Sequence, residues 1–479
     1  MYISNLQLGN FKRFESTNLD LSSKITVLVG PNSSGKSSLL KALLAMKQTA
    51  SPSNENEVFA TQGEYVDLGV YRDYVYNHEV DRKVVVGLSF ASGSFLPALA
   101  VDNDSVIFKV TLGHDHVTEQ ARLMEIRLSD LNTGAEIFSI IKKITRDSFT
   151  INVRPAIAEK FLRGSIPGNE RDSLVAGWKK GISLRVDDKY QMRPGSAAGP
   201  VAAGFGLKDY PIVVARNTID SIFRSLDRSI FYIGPIRRSP SRSYARTGHL
   251  LSVGPAGEHT TSVLANLKAR AAKERAAKPI QKERLQELQT WVSAIFPDKS
   301  VDATRVDELV KLMVRRGPRL GETISDVGFG ISQALPILVQ AAVMPNDSTL
   351  IIEQPELHLH PSAQTKLSEF IAEASKSGRR FIVETHSEHF VRGLQLAISN
   401  DRAKKRRAPR LTVKDVKFFY VPAAPAEPTE MKVNEWGEFV TEWPKGFFDE
   451  AYRLAMHLLE NKMRTIASES GVDAGEESK

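Results

Sequence analysis

Eight residues near the start of the chain restrict its fold more than any other segment. They read Gly-Pro-Asn-Ser-Ser-Gly-Lys-Ser and occupy positions 30–37. The apolar run at 25–29 predicts a buried strand directly before them, and the apolar spacing of residues 39–46 predicts a helix over 35–48. A glycine-rich turn between a strand and a helix directs backbone N–H groups and a helix N-terminus at phosphate oxygens. The segment therefore predicts a phosphate-binding loop (P-loop) in an α/β domain.

This P-loop predicts ATP and Mg²⁺ as cofactors. We expect Lys36 to reach the β- and γ-phosphates and Ser37 to bind Mg²⁺. A chance glycine-rich turn is the alternative, and the flanking strand and helix argue against it. The predicted nucleotide contacts in this loop are Gly30, Asn32, Ser33, Ser34, Gly35, Lys36, Ser37 and Ser38.

An apolar strand that ends in an acidic residue is predicted late in the chain. The sequence at 348–354 reads Ser-Thr-Leu-Ile-Ile-Glu-Gln, so Glu353 ends the strand and Gln354 follows it. A metal-facing site opposite a P-loop needs such a carboxylate, and we therefore predict that Glu353 lies near the Mg²⁺ water shell. A buried strand can also end in a carboxylate for purely structural reasons, but the P-loop favours the functional interpretation.

Two further motifs have the residue types of a phosphate site. Another predicted strand leads into Glu-Thr-His-Ser at 384–387, where His386 is expected to hydrogen-bond the γ-phosphate and sense its loss. Upstream, the turn at 326–333 opens a helix, and its N–H groups could bind a phosphate from a second subunit. The pair His358 and His360 has the spacing of two metal ligands, but with no third ligand evident we interpret both as structural.

The order of predicted elements indicates an α/β domain built from both ends of the chain. Short alternating strands from about 64 to 155 predict an antiparallel lobe, and two helical stretches broken at Pro279 follow in the middle. The predicted units are the N-terminal half of the α/β domain at 1–60, the antiparallel lobe at 61–160, a helical and irregular insertion at 161–319, the C-terminal half at 320–465 and a disordered tail at 466–479.

Composition excludes some chemistry and leaves the partner open. The chain has no cysteine, which rules out disulfides, thiolate metal sites and cysteine nucleophiles. We expect a cytoplasmic protein with no membrane partner, because no apolar run is long enough to span a bilayer and the N-terminus is unlike a signal peptide. The net charge of +8 permits nucleic-acid binding. Basic residues cluster at 402–410 and at Arg237, Arg238, Arg242 and Arg246, either as phosphate contacts or as solvated loops.

The order of P-loop, glycine-rich turn, acidic strand and Thr-His-Ser resembles the ABC-type ATPases of the SMC, RecF and OLD kind. The runs Glu-Gln-Pro-Glu-Leu-His-Leu-His-Pro at 353–361 and Glu-Thr-His-Ser-Glu-His at 384–389 resemble a prokaryotic subfamily of SMC-like AAA ATPases, several of which occur in antiphage defence operons. Residues 232–237 and 442–450 are also similar to that subfamily. The resemblance is strong over 1–90 and 320–455.

The resemblance implies a head-to-head dimer or higher homo-oligomer. Each ATP would lie between the P-loop of one protomer and the glycine-rich turn of the other, so that Gly328, Gly330 and Ser332 act in trans. Lys12 and Arg13, after Phe11, match a stretch that approaches the nucleotide in such proteins; an ordinary basic turn is the alternative.

One departure from the family affects catalysis. Related ATPases usually end the acidic strand in Asp-Glu, where the Glu polarises the attacking water, but this chain has Glu353-Gln354. An amide cannot accept a proton, so general-base help is lost at that position. Glu356 or His386 would then orient the water, or hydrolysis is slow and ATP holds a long-lived closed dimer. Gln62 lies in a stretch similar to a Q-loop, but too early in the chain to be assigned a metal.

We therefore expect a slowly hydrolysing ATPase whose ATP-dependent oligomerisation regulates a separate effector or nuclease, with antiphage defence as the role implied by the resemblance. A RecF-like DNA repair ATPase and a non-catalytic ATP-gated scaffold are the alternatives, and DNA is a further candidate partner. A Toprim nuclease domain would need an Asp-x-Asp cluster after His386, and the sequence there has none. Asp102 and Asp104 lie far from that place.

Overall fold

The computed structural model describes residues 2–51, 59–91, 105–142, 149–153, 210–245, 248, 250–275, 279–317, 321–403, 411–424, 426–442, 456–457 and 459–462. Within these residues the strands are β1 Tyr2–Phe11, β2 Phe14–Asp20, β3 Ile25–Val29, β4 Val84–Ala91, β5 Val106–His114, β6 Ala121–Asp130, β7 Glu136–Lys142, β8 Phe149–Val153, β9 Ile230–Ile233, β10 Tyr244–Ala245, β11 Lys299–Val306, β12 Leu309–Arg316, β13 Glu322–Thr323, β14 Thr349–Glu353, β15 Arg380–Glu384, β16 Val416–Tyr420 and β17 Thr429–Met431. The helices are α1 Lys36–Thr49, α2 Tyr71–Tyr74, α3 Tyr210–Ser229, α4 Thr260–Lys273, α5 Ile280–Ile295, α6 Phe329–Val343, α7 Pro361–Ser375 and α8 Glu388–Ala403.

A six-stranded sheet with strand order β17-β16-β3-β15-β14-β9 forms the centre of the fold. Strand β3 pairs in parallel with β15 on one side and β16 on the other, and β14 lies between β15 and β9. All five residues of β3 and of β14 are buried, as expected for strands covered on both faces. Because β3 comes from the N-terminal part and β14 to β16 from the C-terminal part, the prediction of an α/β domain built from both chain ends is confirmed.

A second, seven-stranded sheet has the order β2-β1-β4-β5-β6-β7-β8 and is antiparallel throughout. The predicted antiparallel sheet is therefore present, and it also contains β1 and β2 from the segment before the P-loop. Helix α1 packs against this sheet through residues such as Leu40 and Leu44, both fully buried. The antiparallel sheet thus braces the helix that follows the P-loop.

The middle of the chain contributes to the central sheet. Strand β9 lies within the segment predicted as an insertion, yet it pairs with β14 from Thr349↔Ile230 to Ile352↔Ile233. Helices α4 and α5 lie on either side of the predicted break at Pro279, and β10, β12 and β11 form a small third sheet in which β13 also pairs with β12. Residues 154–209, part of the predicted insertion, and the predicted tail lie outside the described residues. The domain limits stay predictions.

Two hydrophobic cores lie on opposite faces of the central sheet. In β3, Leu28 belongs to the core shared with α1 and the antiparallel sheet, whereas Val27 and Val29 belong to the core shared with α4 to α8. This alternation fixes the direction of β3, and so the position of the loop that leaves its carboxyl end. No helix among the described residues is long and apolar enough to cross a bilayer.

Candidate functional site

The turn between β3 and α1 contains two glycines, and any other residue at either position would displace neighbouring atoms. Gly30 has φ +149°, and a Cβ atom there would lie 2.3 Å from the carbonyl oxygen of Val421, just after β16. Gly35 has φ +95°, and its Cβ would lie 2.3 Å from Cδ of Arg13. Both positions therefore require glycine because of close approach as well as backbone conformation.

A cavity of about 620 Å³ opens over this turn. It joins the P-loop to the β1–β2 turn, to residues 73–78 and to the ends of β14 and β15. Its lining residues are Lys12, Arg13, Asn32, Ser33, Ser34, Gly35, Lys36, Ser37, Ser38, Asp73, Val75, Asn77, His78, Gln354, Glu384 and His386. The structure thus brings together the P-loop residues, Lys12 and Arg13, and two of the four predicted catalytic residues.

The ammonium group of Lys36 lies inside the loop that it is predicted to serve. Its Nζ donates hydrogen bonds to the carbonyl oxygens of Gly30 at 3.1 Å and Pro31 at 2.8 Å. Burial lowers the pKa of Lys36, and the carboxylates of Glu384 and Glu356 oppose that shift. A phosphate in the cavity would offer this ammonium a stronger, charged acceptor than the two carbonyls.

The guanidinium of Arg13 holds the P-loop against the C-terminal part of the chain. It donates hydrogen bonds to the carbonyl oxygens of Ser34, Ala423 and Ala424, the one to Ala423 measuring 2.9 Å. The neighbouring Lys12 has φ +53°, and burial lowers its pKa. Arg13 therefore fixes the shape of the loop, in addition to lining the cavity.

Two adjacent strands end in carboxylates with different contacts. The Oγ of Ser37 donates a hydrogen bond of 2.9 Å to Oε1 of Glu384, the last residue of β15. Glu353, the predicted metal residue, is instead turned to Tyr232, whose hydroxyl donates to its Oε1 at 2.9 Å, and it does not line the cavity. Sequence reasoning missed Glu384, although a buried strand that ends in a carboxylate, the signal used for Glu353, is present there too.

The surroundings of Glu384 disfavour its charge. Burial, and then the neighbouring carboxylate of Glu353, raise the pKa of Glu384 to about 7, while Ser37 and Lys36 act in the opposite direction. Burial also raises the pKa of Glu353, against the effect of the Tyr232 hydrogen bond. A cation beside Glu353 and Glu384 would therefore stabilise their ionised carboxylates.

The loop after β14 is braced through Glu356. Its two carboxylate oxygens accept hydrogen bonds from the Thr385 hydroxyl at 2.8 Å and from the backbone N–H of His386 at 2.7 Å. Arg237, 5% exposed, donates to the carbonyl oxygens of Glu353 at 2.9 Å and Gln354 at 3.2 Å. Burial lowers the pKa of Arg237 to about 10. Glu356 thus positions His386, and both of its carboxylate oxygens already accept a hydrogen bond.

Gln354 and His386 face the cavity from the two strand ends. Gln354 has φ +45°, and its backbone N–H donates to the carbonyl oxygen of Glu384 at 2.8 Å. Burial, and then Lys36, lower the pKa of His386, which favours the neutral imidazole. A neutral imidazole can donate a hydrogen bond through one nitrogen and accept through the other.

The glycine-rich turn lies apart from this cavity. Gly328 caps α6 and is exposed, and a Cβ added to it would meet nothing within 4 Å. Ser332 is 8% exposed, and its hydroxyl donates to the carbonyl oxygen of Phe329 at 2.7 Å. Gly330 lies against the carbonyl oxygen of His358. None of these three residues lines the P-loop cavity of its own chain.

His358 and His360, which we interpret as structural, each contact a neighbouring residue of their own segment or of α6. His360 caps α7, where its Nδ1 accepts from the backbone N–H of Ser362 at 3.3 Å. The ring of His358 packs edge-on against Phe329 with centroids 5.4 Å apart.

The basic clusters are only partly described. Arg242 pairs with Asp326 at 2.9 Å, and Arg402 pairs with Glu435 and lies 4.4 Å above the ring of Trp436. Residues 404–410, which hold most of the 402–410 cluster, lie outside the described residues, as do Arg246 and residues 443–450.

The residues present fit a divalent cation next to a nucleotide phosphate. The Ser37 hydroxyl and both oxygens of Glu384 are the hard oxygen donors that Mg²⁺ prefers. The Oε2 of Glu384 is buried and has no hydrogen-bond partner among the described residues. An unpartnered buried carboxylate oxygen is rare, and it marks a position where a cation can be accommodated.

A parallel sheet with a P-loop after β3, a carboxylate at the end of β14 and a histidine after β15 defines an ABC-type P-loop ATPase head. The model of the AAA ATPase domain family matches residues 1–148 and 259–391, and the chain belongs to this family. The prediction of an SMC/RecF-like ABC-type ATPase is thereby confirmed.

Short stretches of the chain are similar to curated relatives. The DNA replication and repair protein RecF of Bacillus cytotoxicus is 36% identical over 67 residues, which cover 14% of this chain and 18% of that protein. RecF of Roseiflexus castenholzii is 38% identical over 74 residues, which cover 15% of this chain and 18% of that protein. The match thus spans less than a fifth of the length of these relatives.

Solved structures are similar over most of the chain at low identity. An SMC head bound to the C-terminal winged-helix domain of ScpA has a TM-score of 0.44 and 12% identity, covering 90% of this chain and 99% of that chain. The SMC head domain from Thermotoga maritima has a TM-score of 0.36 and 11% identity, covering 91% of this chain and 100% of that chain.

Proposed function

We propose that this protein binds ATP with Mg²⁺ in the P-loop cavity and hydrolyses it slowly. The observation that supports this most is the arrangement of the cavity, with Lys36 and Ser37 on one side and Gln354, Glu384 and His386 on the other. Mg²⁺ would neutralise phosphate charge during hydrolysis. Lys36 would bind the phosphates, and His386 would hydrogen-bond the terminal phosphate.

Slow hydrolysis follows from the chemistry of the strand ends. Gln354 occupies the position from which a carboxylate would draw a proton from the attacking water, and its amide cannot accept that proton. Glu356 is a poor substitute because its oxygens already accept from Thr385 and His386. The neutral imidazole of His386 can orient a water molecule, which accounts for residual turnover.

ATP-dependent pairing of two heads is the proposed consequence of binding. The turn with Gly328, Gly330 and Ser332 would contact the γ-phosphate held by the other protomer. In support, Gly328 is exposed, and the adjacent Phe329 is 45% exposed at the start of α6. The closed dimer, or a larger oligomer built from it, would regulate a separate effector or nuclease, and a role in antiphage defence rests on the family resemblance alone.

A RecF-like role in DNA repair is the second candidate. The stretches of 36% and 38% identity to RecF proteins and the net charge of +8 favour it. Such a role predicts ATP-dependent DNA affinity that falls steeply with salt, because binding releases counterions from the phosphate backbone. DNA affinity that does not change between ATP and no nucleotide would reject this candidate.

ATP turnover and oligomeric mass, measured on the same preparation, test the proposed function. We expect turnover and an ATP-dependent increase in mass for the parent, and the loss of both in Lys36→Ala. Lys366→Ala, an exposed α7 lysine that pairs with Glu369, is the matched control and should behave as the parent. If the parent binds ATP and pairs without turnover, the protein is a nucleotide-gated scaffold; if it does not bind ATP, the proposed function is wrong.

A further inference from the structure

Two buried carboxylates lie side by side at the carboxyl ends of β14 and β15. Glu353 and Glu384 are partners in the parallel register of these strands, and they are 7% and 3% exposed. Like charges at this spacing, removed from water, disfavour the ionised state of both groups. Such a pair persists in a fold where a proton or a cation compensates the charge.

The two carboxylates differ in what they contact. Glu353 accepts a hydrogen bond from Tyr232, itself 8% exposed, and does not line the cavity. Glu384 lines the cavity, and its Oε1 accepts from the hydroxyl of Ser37. Its Oε2, buried and without a partner among the described residues, has an unsatisfied lone pair beside the phosphate-binding loop.

We propose that Glu384, and not Glu353, is the carboxylate that completes the divalent-cation site with Ser37. This inference rests on the proposed function, since the cation is the one that accompanies ATP. Glu353 then lies outside the cation site, since it does not line the cavity and its carboxylate accepts a hydrogen bond from the Tyr232 hydroxyl. The sequence pointed to Glu353 because an apolar strand ends in that acidic residue, but β15 ends in Glu384 in the same way.

The balance of charge around the site supports a cation there. The carboxylates of Glu353, Glu356 and Glu384 lie at the strand ends, and the cationic groups that act on them are Lys41, Arg237 and Lys36, respectively. Arg237 is directed at the backbone carbonyls of 353 and 354, and Lys36 at the P-loop carbonyls. Neither contacts Glu384 through a hydrogen bond, so its free oxygen is available to a cation.

The test separates cation binding from nucleotide binding and from catalysis. ATP affinity is measured by calorimetry for the parent, Glu384→Gln and Glu353→Gln, once with Mg²⁺ and once with EDTA. We expect Glu384→Gln to lose the gain in affinity that Mg²⁺ provides, by about tenfold or more as for other metal-site carboxylates, and to keep the affinity in EDTA. Glu353→Gln should keep both the gain in ATP affinity from Mg²⁺ and the ATP affinity in EDTA.

The opposite pattern, in which Glu353→Gln loses the Mg²⁺ gain and Glu384→Gln keeps it, would overturn the proposal while leaving the proposed function intact. A parent that binds ATP in neither buffer would overturn both. Glu384→Asp retains a carboxylate and should recover part of the Mg²⁺ gain, which a merely structural role of this side chain would not produce. Manganese added to each variant with ATP gives a spectroscopic check, since its resonance signal changes on coordination.

Discussion

The hydroxyl of Ser37 at the start of α1 donates a hydrogen bond of 2.9 Å to Glu384 at the end of β15, 347 positions later in the chain. This contact connects the phosphate-binding loop to the strand that leads to His386. The side chain of Glu384 therefore links Ser37 to the segment that carries His386.

Gln354→Glu should raise the rate of ATP hydrolysis at least about tenfold, because a positioned carboxylate provides general-base catalysis. Gln354→Met removes the amide without adding a carboxylate, so it should not accelerate turnover. The measurement is steady-state phosphate release at saturating ATP. Equal rates in Gln354→Glu and the parent would show that this position does not limit hydrolysis.

Glu356→Gln should destabilise the protein by about 1–3 kcal/mol, because an amide has one acceptor oxygen and leaves one of two donors without its partner. The two donors are the Thr385 hydroxyl at 2.8 Å and the backbone N–H of His386 at 2.7 Å. A lower midpoint in thermal unfolding checks this. Glu373→Gln, on the exposed face of α7, provides the control, with a change within about 0.5 kcal/mol.

Asp415→Asn should lower stability at neutral pH and have no effect in acid. Burial raises the pKa of Asp415, but the hydrogen bonds from Thr412 and Lys24 outweigh it, so the folded pKa is lowered. A lowered pKa in the folded state contributes stability above the unfolded value of about 4, and that stability is lost as the pH falls through the folded pKa.

We therefore expect a difference of about 1 kcal/mol at pH 7 between Asp415→Asn and the parent, since one charge-assisted hydrogen bond of 3.0 Å to Lys24 is lost. Thermal midpoints measured from pH 7 downwards should converge. Asp307→Asn, an exposed residue between β11 and β12, serves as the control. A difference that persists unchanged at the lowest pH would contradict the assignment of the effect to the ionised carboxylate.

Gly328→Trp should block ATP-dependent pairing and leave ATP binding in the monomer intact. The position is exposed with φ −55°, so a large side chain is accommodated in the single chain but would project from the start of α6. Light scattering with and without ATP reports the mass. Asn132→Trp adds the same bulk to an exposed turn of the antiparallel sheet and should pair normally; failure of both variants to pair would point to a general effect of bulk.

Local sequence was sufficient for the P-loop and its flanks. The strand at 25–29 has the predicted bounds: four of its five residues are apolar and all five are buried, as in a sheet covered on both faces. The helix α1 begins one residue later than predicted, where Gly35 ends the loop in a left-handed conformation. The strand that ends in Glu353 was predicted for the same reason.

The sequence could not show which elements meet. Strands β1 and β2 join the antiparallel sheet, and β9 joins the central one, although their positions along the chain place them with other segments. Hydrophobic periodicity reports which face of a strand is buried but carries no information on its neighbour, since many registers bury the same face.

The amino-acid sequence by itself determined the phosphate-binding loop, the two strands that end in acids and the substitution of Gln354 for a base, because each is a property of consecutive residues. Only the tertiary structure decided that Glu384 contacts Ser37, that Tyr232 turns to Glu353 and that Glu356 is occupied by Thr385 and His386. These contacts join residues far apart in the chain, and they depend on the order of strands in the sheet and on which side of it each side chain is buried.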